Sequence, residues 1–171
     1  VRQLLVEHTH FNDPEKREHI RRLLIRAAQQ KTIPIVNYND PVSDEENRKM
    51  ELAIRRSHGD QVVECVDNDE TAAVIANLVH AKKLVLMTST EGIYRDPADP
   101  KTLVEQVTAK SMEELEEKVR QLQESCVGAS RAGEYALKSA RQGTMVIIGH
   151  ARHRLSDLVE GRVACTRIGL E

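Results

Sequence analysis

The chain reads as an α/β fold with a mostly parallel sheet, and three observations predict it. Short β-rich segments alternate with segments of helical period along the sequence. Leu84-Val85-Leu86-Met87, between Lys83 and Thr88, is apolar without alternation, as an internal parallel strand is. Clusters of Asn, Asp, Ser and Thr stand at the ends of apolar segments, where open parallel sheets bind their ligands. With 171 residues, 40% of them hydrophobic and 30% charged, a single domain over 1–171 with its own core is expected.

Each element has a local reason. Asp13-Pro14-Glu15 opens a helix, because Pro is tolerated at the first helical position and acid is favoured in the first turn. Ile20, Leu23, Leu24, Ala27 and Ala28 then recur at helical spacing as a buried stripe. Thr32 to Val36 reads as a strand in which Pro34 marks an edge or an end. Ser43 to Ser57 reads as an exposed charged helix, with Ser43 and Glu46 as a capping box and Gly59 after its end. Gln61 to Val66 reads as a strand, and Glu70 to Val79, apolar on nearly all sides, as a deeply buried helix. Ser111 and Glu114 form a second capping box before a helix through Met112, Leu115, Val119 and Leu122. Its charge run, Glu113 to Arg120, reads as one solvated face. A helix from Arg131 to Gln142 ends at Gly143, Thr144 to Gly149 is a buried strand, and Val163 to Ile168 is the last strand.

Composition narrows the function classes. A net charge of −2 offers no electrostatic basis for nucleic-acid binding, and 2% aromatic residues are too few for a base-stacking platform. No apolar run approaches the ~20 residues that span a bilayer, and no signal peptide opens the sequence. Cys65, Cys126 and Cys165 are odd in number and widely spaced, which predicts reduced thiols and a cytoplasmic location. His8, His10, His150 and His153 lack the partners of a metal site, so no metal-binding residue is assigned. Arg152, His153 and Arg154 read as a solvated turn.

The candidate chemistry lies in the polar clusters. Asp67-Asn68-Asp69 precedes the apolar run Thr71 to Ala76, where unpaired N–H groups and a partial positive charge favour carboxylates. One acid suffices as a cap; a second acid and an amide remain for a polar ligand. Asn37-Tyr38-Asn39-Asp40 follows the strand-like Ile33 to Val36, Thr88-Ser89-Thr90-Glu91-Gly92 follows another strand, and Gly149-His150 a third. These placements predict a ligand site without naming its ligand.

The same segments, in order, resemble the amino acid kinase family, and within it the branch that phosphorylates glutamate. The resemblance runs from Ile33-Pro34-Ile35-Val36-Asn37-Tyr38-Asn39-Asp40 through Asp67-Asn68-Asp69 to Leu84-Val85-Leu86-Met87-Thr88-Ser89-Thr90-Glu91-Gly92-Ile93-Tyr94. It continues in Asp96-Pro97 or Asp99-Pro100-Lys101, and in Gly143 to Gly149 and Asp157 to Gly161. It implies an open αβα sandwich that transfers the γ-phosphoryl group of ATP, with Mg²⁺, to the carboxylate of a small amino acid. In that branch the reaction opens proline biosynthesis. By position, Asp40 and Asn68 would grip the substrate and Asp69 would orient the phosphate-binding groups. Thr88 and Ser89 would lie beside the nucleotide, and Gly128, Ser130 and Arg131 would stand at the family's glycine-lysine phosphate loop.

Departures from the pattern carry their own expectations. The family's opening strand, catalytic lysine and first glycine loop have no counterpart here, so the chain is expected to be the later part of such a domain and, alone, to show little or no activity. The second glycine loop keeps only Gly128 within Cys126 to Ala132, and the family lysine falls on Ala132 with Arg131 beside it. Residues 43–58 read as a helical insertion. A homo-oligomer and a small-molecule substrate are expected, with no nucleic-acid or membrane partner. Two alternatives stay open: a paralogue that binds ligand or assembles without phosphoryl transfer, and a related kinase with another acceptor, hinted at by Tyr38.

Overall fold

A computed structural model describes residues 2–38, 54, 68–126 and 129–171. The chain divides into two compact units, Val1–Val79 and His80–Glu171. The expected helix at Ser43–Ser57 (Ile54 apart) and the expected strand at Gln61–Val66 lie outside the described residues.

In the first unit β1 (Arg2–Val6) pairs in parallel with β2 (Pro34–Tyr38), in a register from Arg2 opposite Pro34 to Val6 opposite Tyr38. Between them run α1 (His8–Asn12) and α2 (Pro14–Gln29). The Asp13 carboxylate caps α2 by accepting from Glu15 N–H at 2.9 Å and Lys16 N–H at 3.1 Å, as the sequence predicts. The buried stripe is narrower than expected: Ile20, Leu24 and Ala27 are buried, Leu23 is half-buried, and Ala28 is exposed at the margin of the apolar arc. Lys31 closes the helix at φ 54, with Lys31 N–H donating to Ala28 and Thr32 N–H to Ala27, the paired bonds that a glycine usually makes.

Three features of this unit depart from the local reading. β1 and α1 have no strong periodic signal; pairing with β2 makes the first a strand, and the fully buried Phe11 anchors the second. β2 starts at Pro34, where a missing N–H costs least, and runs two residues further than expected, so Asn37 and Tyr38 lie inside the strand. The helix α3 (Asn68–Leu78) buries Thr71, Ala73 and Ala76, while Val74, Ile75 and Leu78 pack on the core yet stay half-buried. That core joins Val6, Phe11, Ile20, Leu24 and Tyr38.

The second unit is a four-stranded sheet in the order β3-β5-β6-β4. Its strands are β3 (Lys83–Thr88), β4 (Gln106–Ala109), β5 (Met145–His150) and β6 (Thr166–Leu170). β3 with β5 and β4 with β6 are parallel, and β5 with β6 is antiparallel. Within this sheet, among the described residues, β3 stands at the end of the order rather than inside it. Its burial alternates accordingly, with Leu84 and Leu86 buried and Met87 47% exposed. The enclosed strands are β5, where Val146, Ile147 and Ile148 are all buried, and β6, where Thr166, Ile168 and Gly169 are.

Among the described residues this unit also holds three α-helices, α4 (Met112–Ser125), α5 (Ala129–Ala140) and α6 (Leu155–Glu160), and a 3₁₀ turn at Pro100–Thr102. Ser111 caps α4 through Glu114 N–H at 3.2 Å, but the Glu114 carboxylate accepts from Lys110 N–H, one residue short of a reciprocal box. Leu115, Val119 and Leu122 form the buried face, and the charge run is solvated as expected, with Glu114 paired to Lys118 and Glu117 to Arg120. Gly143 (φ 78) follows α5 and Gly161 (φ 73) follows α6, each in the left-handed conformation that glycine adopts at no steric cost. Cys126 and Cys165 are buried free thiols; Cys65 lies outside the described residues.

Candidate active site

The carboxyl ends of β3 and β5 meet in the second unit, where Thr88 stands opposite His150. Ala151 N–H donates to the Thr88 carbonyl at 2.8 Å and continues the pairing one residue past the strand. The Thr88 hydroxyl accepts from Thr90 N–H at 3.1 Å and donates to the Thr90 carbonyl at 2.9 Å, folding the turn on itself. Beyond it, Ile93 N–H donates to the buried Thr166 hydroxyl at 2.8 Å. A Cβ on Gly92 would lie 2.3 Å from that same oxygen and 2.9 Å from Thr166 N, so only glycine fits there. Ser89 and Thr90 project, exposed, from this anchored turn.

Glu91 ties the turn to its neighbour. Its side chain is only 15% exposed; it forms an ion pair with Arg152 and a hydrogen bond with His153 Nε2, the latter at 2.6 Å. The His150 ring joins the arrangement, since its Nδ1 accepts from Arg152 N–H at 3.0 Å, which leaves Nε2 as the protonated nitrogen of the neutral ring. Arg152 and Arg154 are exposed on a turn, as the sequence reading expects; what that reading lacks is the acid partner. The partner is 61 and 62 residues away in sequence, and no local spacing reveals it. The signal that was available is placement, because both segments follow apolar strands.

The turn resembling the family's Asp-Pro-Arg is stapled internally. Asp96 accepts from Ala98 N–H, Asp99 accepts from Lys101 N–H, each at 2.9 Å, and Tyr94 bridges Leu103.

In the first unit, Asn68 is the first residue of α3 and its Oδ1 accepts from Tyr38 N–H at 2.9 Å. That bond orients the amide and leaves Nδ2 as a donor with no protein partner among the described residues. Asp69 is exposed in the first helical turn, where the helix dipole favours its charge. Tyr38, the residue that hinted at another acceptor, is 6% exposed and packs in the core. Ser130 and Arg131 fall in the first turn of α5. Asp40, Asp67 and Gly128 lie outside the described residues.

The model of the amino acid kinase family matches residues 1–150. This chain belongs to that family. Among curated relatives it is 28% identical over 175 residues to a glutamate 5-kinase of Photobacterium profundum, covering 98% of this chain and 42% of that protein. It is 46% identical over 59 residues to an acetylglutamate kinase of Methanopyrus kandleri, covering 34% of this chain and 24% of that one. Against solved structures it is similar to UMP kinase from Ureaplasma parvum, with a TM-score of 0.54 at 11% identity, over 99% of this chain and 60% of that one. The likeness to the UMP kinase shows the fold, an α/β architecture with parallel-dominated sheets. The chain spans less than half the length of the curated relatives it matches. No helix among the described residues is long and apolar enough to cross a membrane.

Proposed function

We propose that this chain is part of an ATP-dependent kinase that phosphorylates the carboxylate of a small amino acid, with glutamate the first acceptor to test. The observation that carries the reading is the family membership joined to a match with glutamate 5-kinases along 98% of the chain. The polar strand ends supply suitable chemistry. Phosphoryl transfer asks little covalent work of the protein and depends on positioning and charge neutralisation. In this reading Asn68, its Oδ1 held by Tyr38 N–H, offers Nδ2 to the acceptor's carboxylate, and Asp40 pairs with its ammonium. Thr88 and Ser89 border the nucleotide, as do Gly128 and Ser130, while Asp69 and Arg131 order and neutralise the phosphates. The exposed hydroxyl of Ser89 fits a phosphate-bearing ligand. Mg²⁺ would arrive on the nucleotide phosphates, keeping its waters, and would neutralise charge on the transferred group.

A second reading, a related kinase with another acceptor, is favoured by the short but closer match to an acetylglutamate kinase. One experiment separates the two: ADP release from MgATP by the complete gene product, with glutamate, N-acetylglutamate and UMP offered in turn. Turnover with glutamate is expected, and Asp69→Ala should cut kcat ~10²–10³-fold with the melting temperature unchanged. The 171 residues alone should show little or no turnover, since the family's first glycine loop and lysine have no counterpart among them. Turnover only with another acceptor selects the second reading. MgATP binding without turnover on any acceptor favours a ligand-binding paralogue.

A further inference from the structure

We infer that Glu91 is a positioning residue for the nucleotide side of the site: through Arg152 and His153 it clamps the turn after β3 to the turn after β5 and so presents Ser89 in one fixed arrangement. The nucleotide part of this inference rests on the kinase reading; the clamp itself does not.

The geometry carries it in steps. Thr88 and His150 are the last paired residues of two parallel strands, and beyond them each chain must leave the sheet. A turn at such a point is held by whatever side chains cross the gap. Residues 88–93 are fixed at the near end by Ala151 N–H on the Thr88 carbonyl, and at the far end by Thr166 on Ile93 N–H. Between those ends, the crossing to the neighbouring turn is made by Glu91. Its carboxylate spends one oxygen on Arg152 and the other on His153. Charge-assisted bonds of this kind are about twice as strong as neutral ones, and a carboxylate only 15% exposed is poorly served by water if they are lost.

The receiving turn is itself ordered. Arg152 N–H and His153 N–H both return to His150, one to the ring Nδ1 and one to the carbonyl, each at 3.0 Å. Glu91 therefore grips a rigid segment rather than two loose side chains. What the clamp leaves outward is the Ser89 side chain, with the Thr88 hydroxyl locked against Thr90 and the Thr90 hydroxyl on the Gly92 carbonyl.

The test is amide hydrogen exchange and MgATP calorimetry on the wild type and Glu91→Ala. Exchange at the Thr90, Arg152 and His153 amides should rise about tenfold in the variant, while Ile147 and Ile148 in β5 stay protected. The MgATP Kd should rise about tenfold, and where turnover is measurable KM for ATP should rise without change in KM for the acceptor. The pair variant Arg152→Ala/His153→Ala should reproduce these shifts, and adding Glu91→Ala to it should change nothing more. Unchanged exchange in Glu91→Ala overturns the clamp. Raised exchange with an unchanged Kd overturns the positioning role. A wild type that binds no MgATP removes the nucleotide reading, while exchange at Thr90 and Arg152 still decides the clamp. If Glu91→Ala fails to fold, Glu91→Gln, which removes the charge but keeps an acceptor for Arg152, is measured against the same criteria.

Discussion

At the β2–α3 junction one long-range side-chain bond among the described residues, Asn68 Oδ1 to Tyr38 N–H, joins polar segment to strand, whereas the turn after β3 is held along its whole length. The second turn has Ala151 on the Thr88 carbonyl, Glu91 on Arg152 and His153, and Thr166 on Ile93. The two regions look alike in sequence, each a run of Asn, Asp, Ser or Thr beside an apolar strand. Their difference shows that such a run has two separate uses. At Asn68 the amide oxygen is committed to a backbone N–H, and among the described residues Nδ2 has no protein partner. Around Glu91 nearly every polar group is consumed in holding backbone, the Thr90 hydroxyl on the Gly92 carbonyl included, and the Ser89 side chain is left to face outward.

The largest expected effect comes from removing the support beneath the looser region. Phe11 is fully buried in the cluster that contains Tyr38. Phe11→Ala should cost ~3–5 kcal/mol, read from the urea midpoint together with exchange in α2 and α3. A loss under ~1 kcal/mol would mean that the junction does not depend on this core. Next comes the tighter region. Gly92→Ala drives a methyl into the Thr166 hydroxyl and should cost ~1–3 kcal/mol and free the Ile93 amide to exchange. Gly143→Ala, which meets nothing within 4 Å, serves as the comparison and should lose only the backbone term of a left-handed site.

The tie at Asn68 is tested more gently. Asn68→Ala leaves Tyr38 N–H without its acceptor and should cost ~1–2 kcal/mol by chemical denaturation. Asn68→Asp keeps an acceptor oxygen and should recover most of that stability, yet it replaces the Nδ2 donor and should weaken acceptor binding. Equal stability losses in both variants would show that the bond to Tyr38 is not what Asn68 contributes.

The smallest effect separates surface electrostatics from both regions. Side-chain bonds from Arg21 and then Arg22 hold the Glu18 carboxyl down at about 2, against an ordinary 4.5. Because the folded value lies below the unfolded one, the contribution is complete above pH 4.5 and is lost as pH falls through about 2. Glu18 is solvent-exposed on α2, so the effect should be slight, visible as a fall in α2 helicity by NMR at low pH and absent in Glu18→Gln. An acid transition unchanged by Glu18→Gln would remove this contribution.

Local chemistry made much of the fold legible. Asp13-Pro14 placed the start of α2, Ser111 the start of α4, and Gly143 the end of α5, because caps and left-handed turns depend on residues within a few positions of each other. β1 was invisible for the opposite reason: Arg2 to Val6 becomes a strand by pairing with a segment about thirty residues away. β2 was placed two residues early because its polar end, Asn37-Tyr38, reads as loop until Val6 is seen opposite Tyr38. In the candidate site, Asn68, Asp69, Thr88 and Ser89 could be named from their places beside apolar runs and from the family pattern. Glu91 with His153 could not, since attraction between charges depends on distance in space and leaves no spacing in the chain.

By itself, then, the sequence determined the starts of α2 and α4, the carboxylates at the start of α3 and the hydroxyls that close β3. Those properties follow from backbone hydrogen bonds unsatisfied within one turn and from apolar side chains recurring along one face. Only the tertiary structure decided that β6 runs antiparallel to β5, that Gly92 must lack a side chain because Thr166 stands against it, and that Glu91 answers Arg152 and His153. Each of these is a close approach between atoms far apart in the chain, and excluded volume and charge act on separation in space alone.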